Sequence, residues 1–178
     1  MNRILPLCLL TTILLTAQQK DYGIINANLI DGYSPKLQSN MTVLVSNGKI
    51  VSIKKQGKVS ANYQIIDLNG MVLLPGFIDA HTHIRSLDAA RRAMESGVTT
   101  ARSASTPNYQ DVAIREMVKA SQFIGPDIVA AGVFVTPNLG ETILADPRLG
   151  ALKDGIHSEN ALRTIVRVNA DHGVDFIK

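Results

Sequence analysis

Leu74-Pro75-Gly76-Phe77-Ile78-Asp79-Ala80-His81-Thr82-His83 decides how this chain is read. Phe77 to Ala80 is an apolar strand, and it runs into two histidines one residue apart. Side chains alternate faces along a strand, so His81 and His83 point the same way, with Cα atoms about 6–7 Å apart. Two imidazoles converging from one strand end can both reach a metal ion at about 2.0–2.1 Å. The pattern points to metal-assisted hydrolysis as a reaction class.

Downstream of Pro75-Gly76, strands and helices alternate. A helix is expected over Leu87 to Ser96, with Ser86 as N-cap, Asp88 in its first turn and Gly97 beyond its end. Val98 to Arg102 reads as a second strand. Asp111 to Phe123 reads as a second helix, with Ala113, Met117, Ala120 and Ile124 on its apolar face. Ile128 to Val133 is a third strand. A long loop from about Phe134 to His157 holds a short helix near Leu149 to Lys153. Ser158 caps a third helix, Glu159 to His172, and Val174 to Lys178 is a fourth strand. This alternation predicts a parallel α/β unit, with the first half of a (β/α)8 barrel of the TIM type as the leading architecture. Positions 75–178 supply fewer than half of the roughly 250 residues such a barrel needs.

Upstream, Asp21 to Leu74 reads as strands and tight turns. Ile24 to Ile30 ends at Asp31-Gly32. Thr42 to Ser46 and Lys49 to Ile53 flank Asn47-Gly48, a strong hairpin signal. Tyr63 to Leu68 precedes a turn at Asn69-Gly70. Three segments follow: an export signal over residues 1–17, a small β-unit over 18–74 and the α/β unit over 75–178.

Export is read from Arg3 followed by the apolar run Ile4 to Leu15, too short to span a bilayer comfortably, with Ala17 at a plausible cleavage point. The alternative is an uncleaved anchor. Cleavage predicts a periplasmic or extracellular protein. The one cysteine, Cys8, lies inside this segment. A cleaved chain has no thiol, so any metal is held by His, carboxylate or modified lysine.

The chain has 178 residues, 46% hydrophobic and 19% charged, which suits a folded domain and not a disordered one. Aromatics are 4% and Trp is absent, which weakens any stacking platform for nucleic acid, and the net charge of +3 comes from interleaved acids and bases with no basic stripe to track a phosphate backbone. Lys54, Lys55 and Lys58 read as a solvated strand end. Neither a Walker loop nor a Gly-x-Gly-x-x-Gly turn occurs.

Several of these segments together resemble the amidohydrolase superfamily of metal-dependent hydrolases, in its imidazolonepropionase- and prolidase-like branch. The resemblance runs through Asn28-Leu29-Ile30-Asp31-Gly32, Val45-Ser46-Asn47-Gly48-Lys49-Ile50 and the His81-Thr82-His83 segment. It continues through Gly97-Val98-Thr99-Thr100-Ala101-Arg102, Gly125-Pro126 and Ala131-Gly132 to Gly173-Val174-Asp175-Phe176-Ile177-Lys178. It implies that the β-unit is part of a small composite β-sandwich, and that the barrel holds two divalent metals, usually zinc. His81 and His83 would ligate one metal. Lys178, as a carbamate, would bridge both. The remaining ligands, two histidines, and the general-base aspartate would lie beyond residue 178, so the chain reads as an N-terminal fragment. Arg102, Thr136 and His157 are candidates for the substrate pocket. Where the family often has Asp after this arginine, Ser103 stands here.

The implied substrate is a small amide or dipeptide-like molecule, cleaved at a carbon–nitrogen bond. The alternative is a non-catalytic remnant or binding module that keeps the half-barrel. Open barrel edges predict self-association or pairing with a complementary fragment.

Overall fold

The computed structural model describes residues 20–178; the expected export segment, with Cys8, lies outside them. The chain divides into two compact units between Pro75 and Gly76.

The first unit holds β1 (Tyr22–Leu29), β2 (Gln38–Ser46), β3 (Lys49–Lys55), β4 (Gln64–Asp67) and β5 (Val72–Leu73). They form one mixed sheet in the order β3-β2-β1-β4, with β5 also pairing β1. Neighbours β1, β2 and β3 run antiparallel, whereas β4 and β5 are parallel to β1. Ser46 faces Lys49 across the hairpin, and Asn47 (φ +50°) and Gly48 (φ +71°) both adopt the left-handed conformation. That geometry matches the strand twist and explains why Asn-Gly sits there. At the end of β1 the Asp31 carboxylate accepts from the backbone N–H groups of Ser34 (2.7 Å) and Tyr33 (2.9 Å) and from Gln38 Nε2 (2.7 Å). Those hydrogen bonds, the two backbone ones foremost, draw its pKa down to about 2. The expected sandwich is, within this unit's described residues, a single sheet. Ile24, Val43, Val45, Ile50, Ile53 and Leu73 line an apolar concavity of about 350 Å³ on it.

The second unit runs β6 (Phe77–Thr82), α1 (Leu87–Glu95), β7 (Val98–Ser103), α2 (Gln110–Lys119), β8 (Asp127–Ala130), two 3-10 segments (Gly140–Ala145 and Pro147–Leu152) and α3 (Glu159–Asp171). Strands β6, β7 and β8 form a parallel sheet in that order. Ser86 Oγ caps α1 by accepting from Ala89 N (3.1 Å), and Ser158 Oγ caps α3 by accepting from Ala161 N (3.2 Å). Ala90, Ala101 and Ala130 are fully buried beside Ile84, Ile114 and Ile128. These small side chains let helices close tightly on the sheet. A second core joins Tyr109 and Val133 to Leu149, Leu152, Ile165 and Val168.

Five expectations are corrected. Helix α2 ends at Lys119 and not Phe123, because Ser121 takes φ +55°. Its buried side carries Asp111, Ile114 and Arg115, while Ala113 and Ala120 are exposed and Ile124 is 83% exposed. The apolar count missed this face because two of its three members are charged. The loop after β8 forms two 3-10 segments in place of one short helix, the second with Asp146 as cap and Pro147 opening it.

The last two corrections concern the strands. The third ends at Ala130, and Val174 to Lys178 forms no continuous ladder. It runs beside residues 130–135 through two backbone bonds, Asp175 N to Ala130 O (2.8 Å) and Val135 N to Lys178 O (2.8 Å). Side chains take the N–H groups that a ladder would use. Ala130 N donates to Asp175 Oδ2 (2.7 Å), Gly132 N to Asp111 Oδ2 (3.3 Å) and Val133 N to Asn169 Oδ1 (3.0 Å). Among the described residues no helix is long and apolar enough to cross a membrane.

Candidate metal centre

The end of β6 is bulged. Asp79 is level with Ala101 and Thr82 with Ser103, so Ala80 and His81 together stand against the single residue Arg102. Simple alternation from Phe77 puts His81 on the side opposite Ile78. The bulge shifts the phase, as bulges beside functional sites do. Ile78 is level with Thr100 and Thr82 with Ser103, so His81 and His83 share the Ile78 and Arg102 face, away from the face packed by α1 and α2. The backbone N–H of His81 donates to Asp79 Oδ1 (3.0 Å), which satisfies a group the bulge takes out of the ladder. Asp79 thus serves the strand backbone.

The two imidazole rings lie 5.6 Å apart, inclined by 60°. His83 Nδ1–H donates to Ser105 O at 2.7 Å, since a carbonyl can only accept, and its Nε2 keeps a lone pair. Lys178 Nζ donates to His81 Nε2 at 3.3 Å, so this nitrogen is also the unprotonated one. Phe134 floors the group: its ring is 5.9 Å from the His83 ring and 5.1 Å from Lys178 Nζ. Sequence reasoning brought His81, His83 and Lys178 together and missed Phe134, which reads as an ordinary loop aromatic.

Lys178 is placed by a clamp that the sequence reading also missed. Arg115 has a side chain only 7% exposed, and it donates to Asp175 Oδ2 (2.5 Å), Gly173 O (2.8 Å) and Glu116 Oε1 (2.7 Å). Burial raises the Asp175 pKa, but the Ala130 N–H and the Arg115 guanidinium outweigh it and hold the carboxyl below its ordinary value. One long-range pair therefore fixes the segment leading to Lys178.

The pocket candidates separate. Arg102 is exposed, with its guanidinium 4.0 Å over the Phe176 ring and Nη1 donating to Ala80 O at 3.4 Å. It shares the histidines' face. Thr136 is half-buried, directly after the Val135 N–H bonded to Lys178 O. His157 is exposed, and its Nε2 donates to Asp154 O (2.6 Å), not toward the histidine pair. His172 stacks on Tyr109 at 3.8 Å and bonds Asp146 Oδ2 at 3.0 Å.

The donor chemistry fits part of a metal set: two imidazoles whose Nε2 atoms can ligate, and an amine beside one of them. Among the described residues no group of three or more His, Cys, Asp or Glu side chains could hold a metal ion.

No family model matches this chain. It is 46% identical over 50 residues to a dihydroorotase of Syntrophus aciditrophicus (strain SB), covering 28% of this chain and 12% of that protein. It is 36% identical over 73 residues to an N-substituted formamide deformylase of Arthrobacter pascens, covering 38% and 13%. Among solved structures, a Bifidobacterium longum protein assigned as a prolidase is similar with a TM-score of 0.69 and 27% identity, over 87% of this chain and 39% of that one. A Xaa-Pro dipeptidase shares the fold with a TM-score of 0.67 and 23% identity, over 89% and 46%. The chain spans less than half the length of each of these proteins. Over the part it spans, it is related to the amidohydrolase superfamily, the class read from its motifs.

Proposed function

We propose that this chain carries part of a divalent-metal site for hydrolysis of amide-type carbon–nitrogen bonds in small molecules, set on the first strands of a (β/α)8 barrel. The observation that carries the reading is the end of β6, where His81 and His83 both present Nε2 and Lys178 Nζ reaches the first of them. The kinship with dihydroorotase, deformylase and prolidase sequences and folds supports the bond type. A divalent ion held there, zinc in the simplest case, would supply an activated water and polarise the scissile carbonyl.

The chain's own residues do the rest. The His81 and His83 imidazoles would bind the ion through Nε2. The neutral Lys178 amine would add to CO2, forming an N–C bond and releasing a proton, to give a two-oxygen carbamate anion. Arg102, on the same face, offers a planar cation to a carboxylate-bearing, dipeptide-like substrate, and Thr136 follows Val135, whose N–H bonds Lys178 O. We further propose export across a membrane, and that residues completing the metal set and the general base come from outside residues 20–178.

A second reading, a non-catalytic binding module, draws on the lack of any cluster of three His, Cys, Asp or Glu among the described residues. Zinc analysis with an amidase and dipeptidase assay on the 178-residue chain separates the two. Two metals per chain with turnover eliminates the binding module. One weakly held metal or none, without turnover, eliminates catalysis by this chain alone.

A further inference from the structure

Residues 103–106 form a buried strap past the end of β6, and three successive residues of it hold His83 and its neighbours. Ile84 N donates to Ser103 Oγ (3.1 Å), Ala104 N to Thr82 O (2.7 Å) and His83 Nδ1 to Ser105 O (2.7 Å). Ser105 is fully buried, its Oγ has no hydrogen-bond partner, and its φ is +108°, in the region that favours glycine. A non-glycine residue keeps such a backbone only where its surroundings impose it.

Asp111 imposes it. This carboxylate is fully buried in the first turn of α2. Its Oδ1 accepts from Thr106 Oγ1 (2.9 Å) and Val112 N (2.9 Å), and its Oδ2 accepts from Gly132 N (3.3 Å). Thr106 N in turn donates to Gly132 O at 2.7 Å. Gly132 is closely packed: a Cβ there would meet Val174 Cγ1 at 2.5 Å and Asn169 Oδ1 at 2.8 Å, so no larger residue fits at this anchor. With Ala104 tied to β6 and Thr106 tied to Asp111 and Gly132, the Ser105 carbonyl has one direction left, toward His83.

We infer that Ser105, locked by Asp111, is the positioning residue of the histidine pair. Its carbonyl selects the Nδ1–H tautomer of His83 and thereby makes Nε2 the nitrogen offered to a metal. The purpose of this device rests on the metal-site reading; its geometry does not.

The test is the ¹⁵N spectrum of the histidine side chains in the metal-free 178-residue chain, at a pH where imidazole is neutral, followed by titration with zinc alone. His83 is expected to show a protonated Nδ1 and a bare Nε2. Thr106→Val removes one donor to Asp111. Asp111→Asn turns an acceptor into a donor facing Gly132 N–H. Each should convert His83 to a tautomer mixture and weaken zinc binding by about 10–100-fold. Ser105→Gly keeps the carbonyl, relieves the φ, and should leave the tautomer unchanged.

A single His83 tautomer that is lost in Thr106→Val supports the inference even if Asp111→Asn does not fold. It does so even if zinc does not bind, in which case the metal reading alone falls. A His83 tautomer unchanged in Thr106→Val, or mixed in the parent chain, overturns the inference even if zinc binds.

Discussion

Lys178 Nζ lies 3.3 Å from His81 Nε2, joining the last described residue of the chain to the strand that opens the second unit. The contact spans 97 residues of sequence and brings a third nitrogen to the histidine pair. If the three act as one ligand set, each substitution should weaken zinc. His81→Ala and His83→Ala are expected to cost more than the ~10–100-fold typical of outer-shell changes. Lys178→Met should cost less in bicarbonate-free buffer than in bicarbonate-saturated buffer, because only the latter allows carbamate. Calorimetric zinc titration in both buffers checks this. Equal affinities for Lys178→Met and the parent chain in bicarbonate would remove Lys178 from the site.

The bulge at Ala80 and His81 sets which face carries the histidines. Deleting Ala80 restores one-to-one register with β7 from Ile78 to Thr82, and a one-residue slip moves side chains to the opposite face. Either the histidines leave the Arg102 face or Ile78 does. The expected result is loss of zinc binding with far-UV circular dichroism close to the parent chain. Retained binding would mean that the bulge does not aim the pair.

How far these features can be read from sequence depends on how local their signals are. Asn47-Gly48 specifies its turn through two residues that tolerate positive φ, and the hairpin forms where it was expected. Ser86 and Ser158 announce helix starts because a cap is a contact within three residues. The strand carrying His81 and His83 is legible for the same reason, but its phase is not. The bulge exists only relative to β7, and no pattern within Phe77 to His83 encodes it. Asp111, Arg115, Asp175 and Asn169 look like surface polar residues until their partners 21 to 60 positions away are known. Those partnerships also decide where β8 stops and why Val174 to Lys178 never becomes a full ladder strand.

The exposed side of β6 predicts association. Phe77 is 54% and Ile78 73% exposed on an edge strand. Unpaired edges with apolar side chains template further pairing. Ile78→Lys should lower the sedimentation-derived molecular mass toward that of one chain at concentrations where the parent chain self-associates. A parent chain that stays monomeric throughout would end this reading.

Arg115 and Asp175 give the stability of the second unit a defined pH dependence. Asp175 has its pKa lowered in the folded chain: burial opposes this, but the Ala130 N–H and Arg115 prevail. A carboxyl with a depressed folded pKa contributes stability in full above its unfolded value, near 4, and loses it as pH falls through the folded value. Asp175→Asn leaves the nearly buried guanidinium without this carboxylate. The Asp175 side chain is 37% exposed, so solvent screening puts the cost at the lower end of the ~1–3 kcal/mol range for such a loss near pH 7. Urea denaturation of parent and variant between pH 7 and pH 2.5 measures it. The two stabilities should differ at neutral pH and converge below pH 4. A constant gap across that range would show that Asp175 acts through shape and hydrogen bonding alone, with no linkage to its charge.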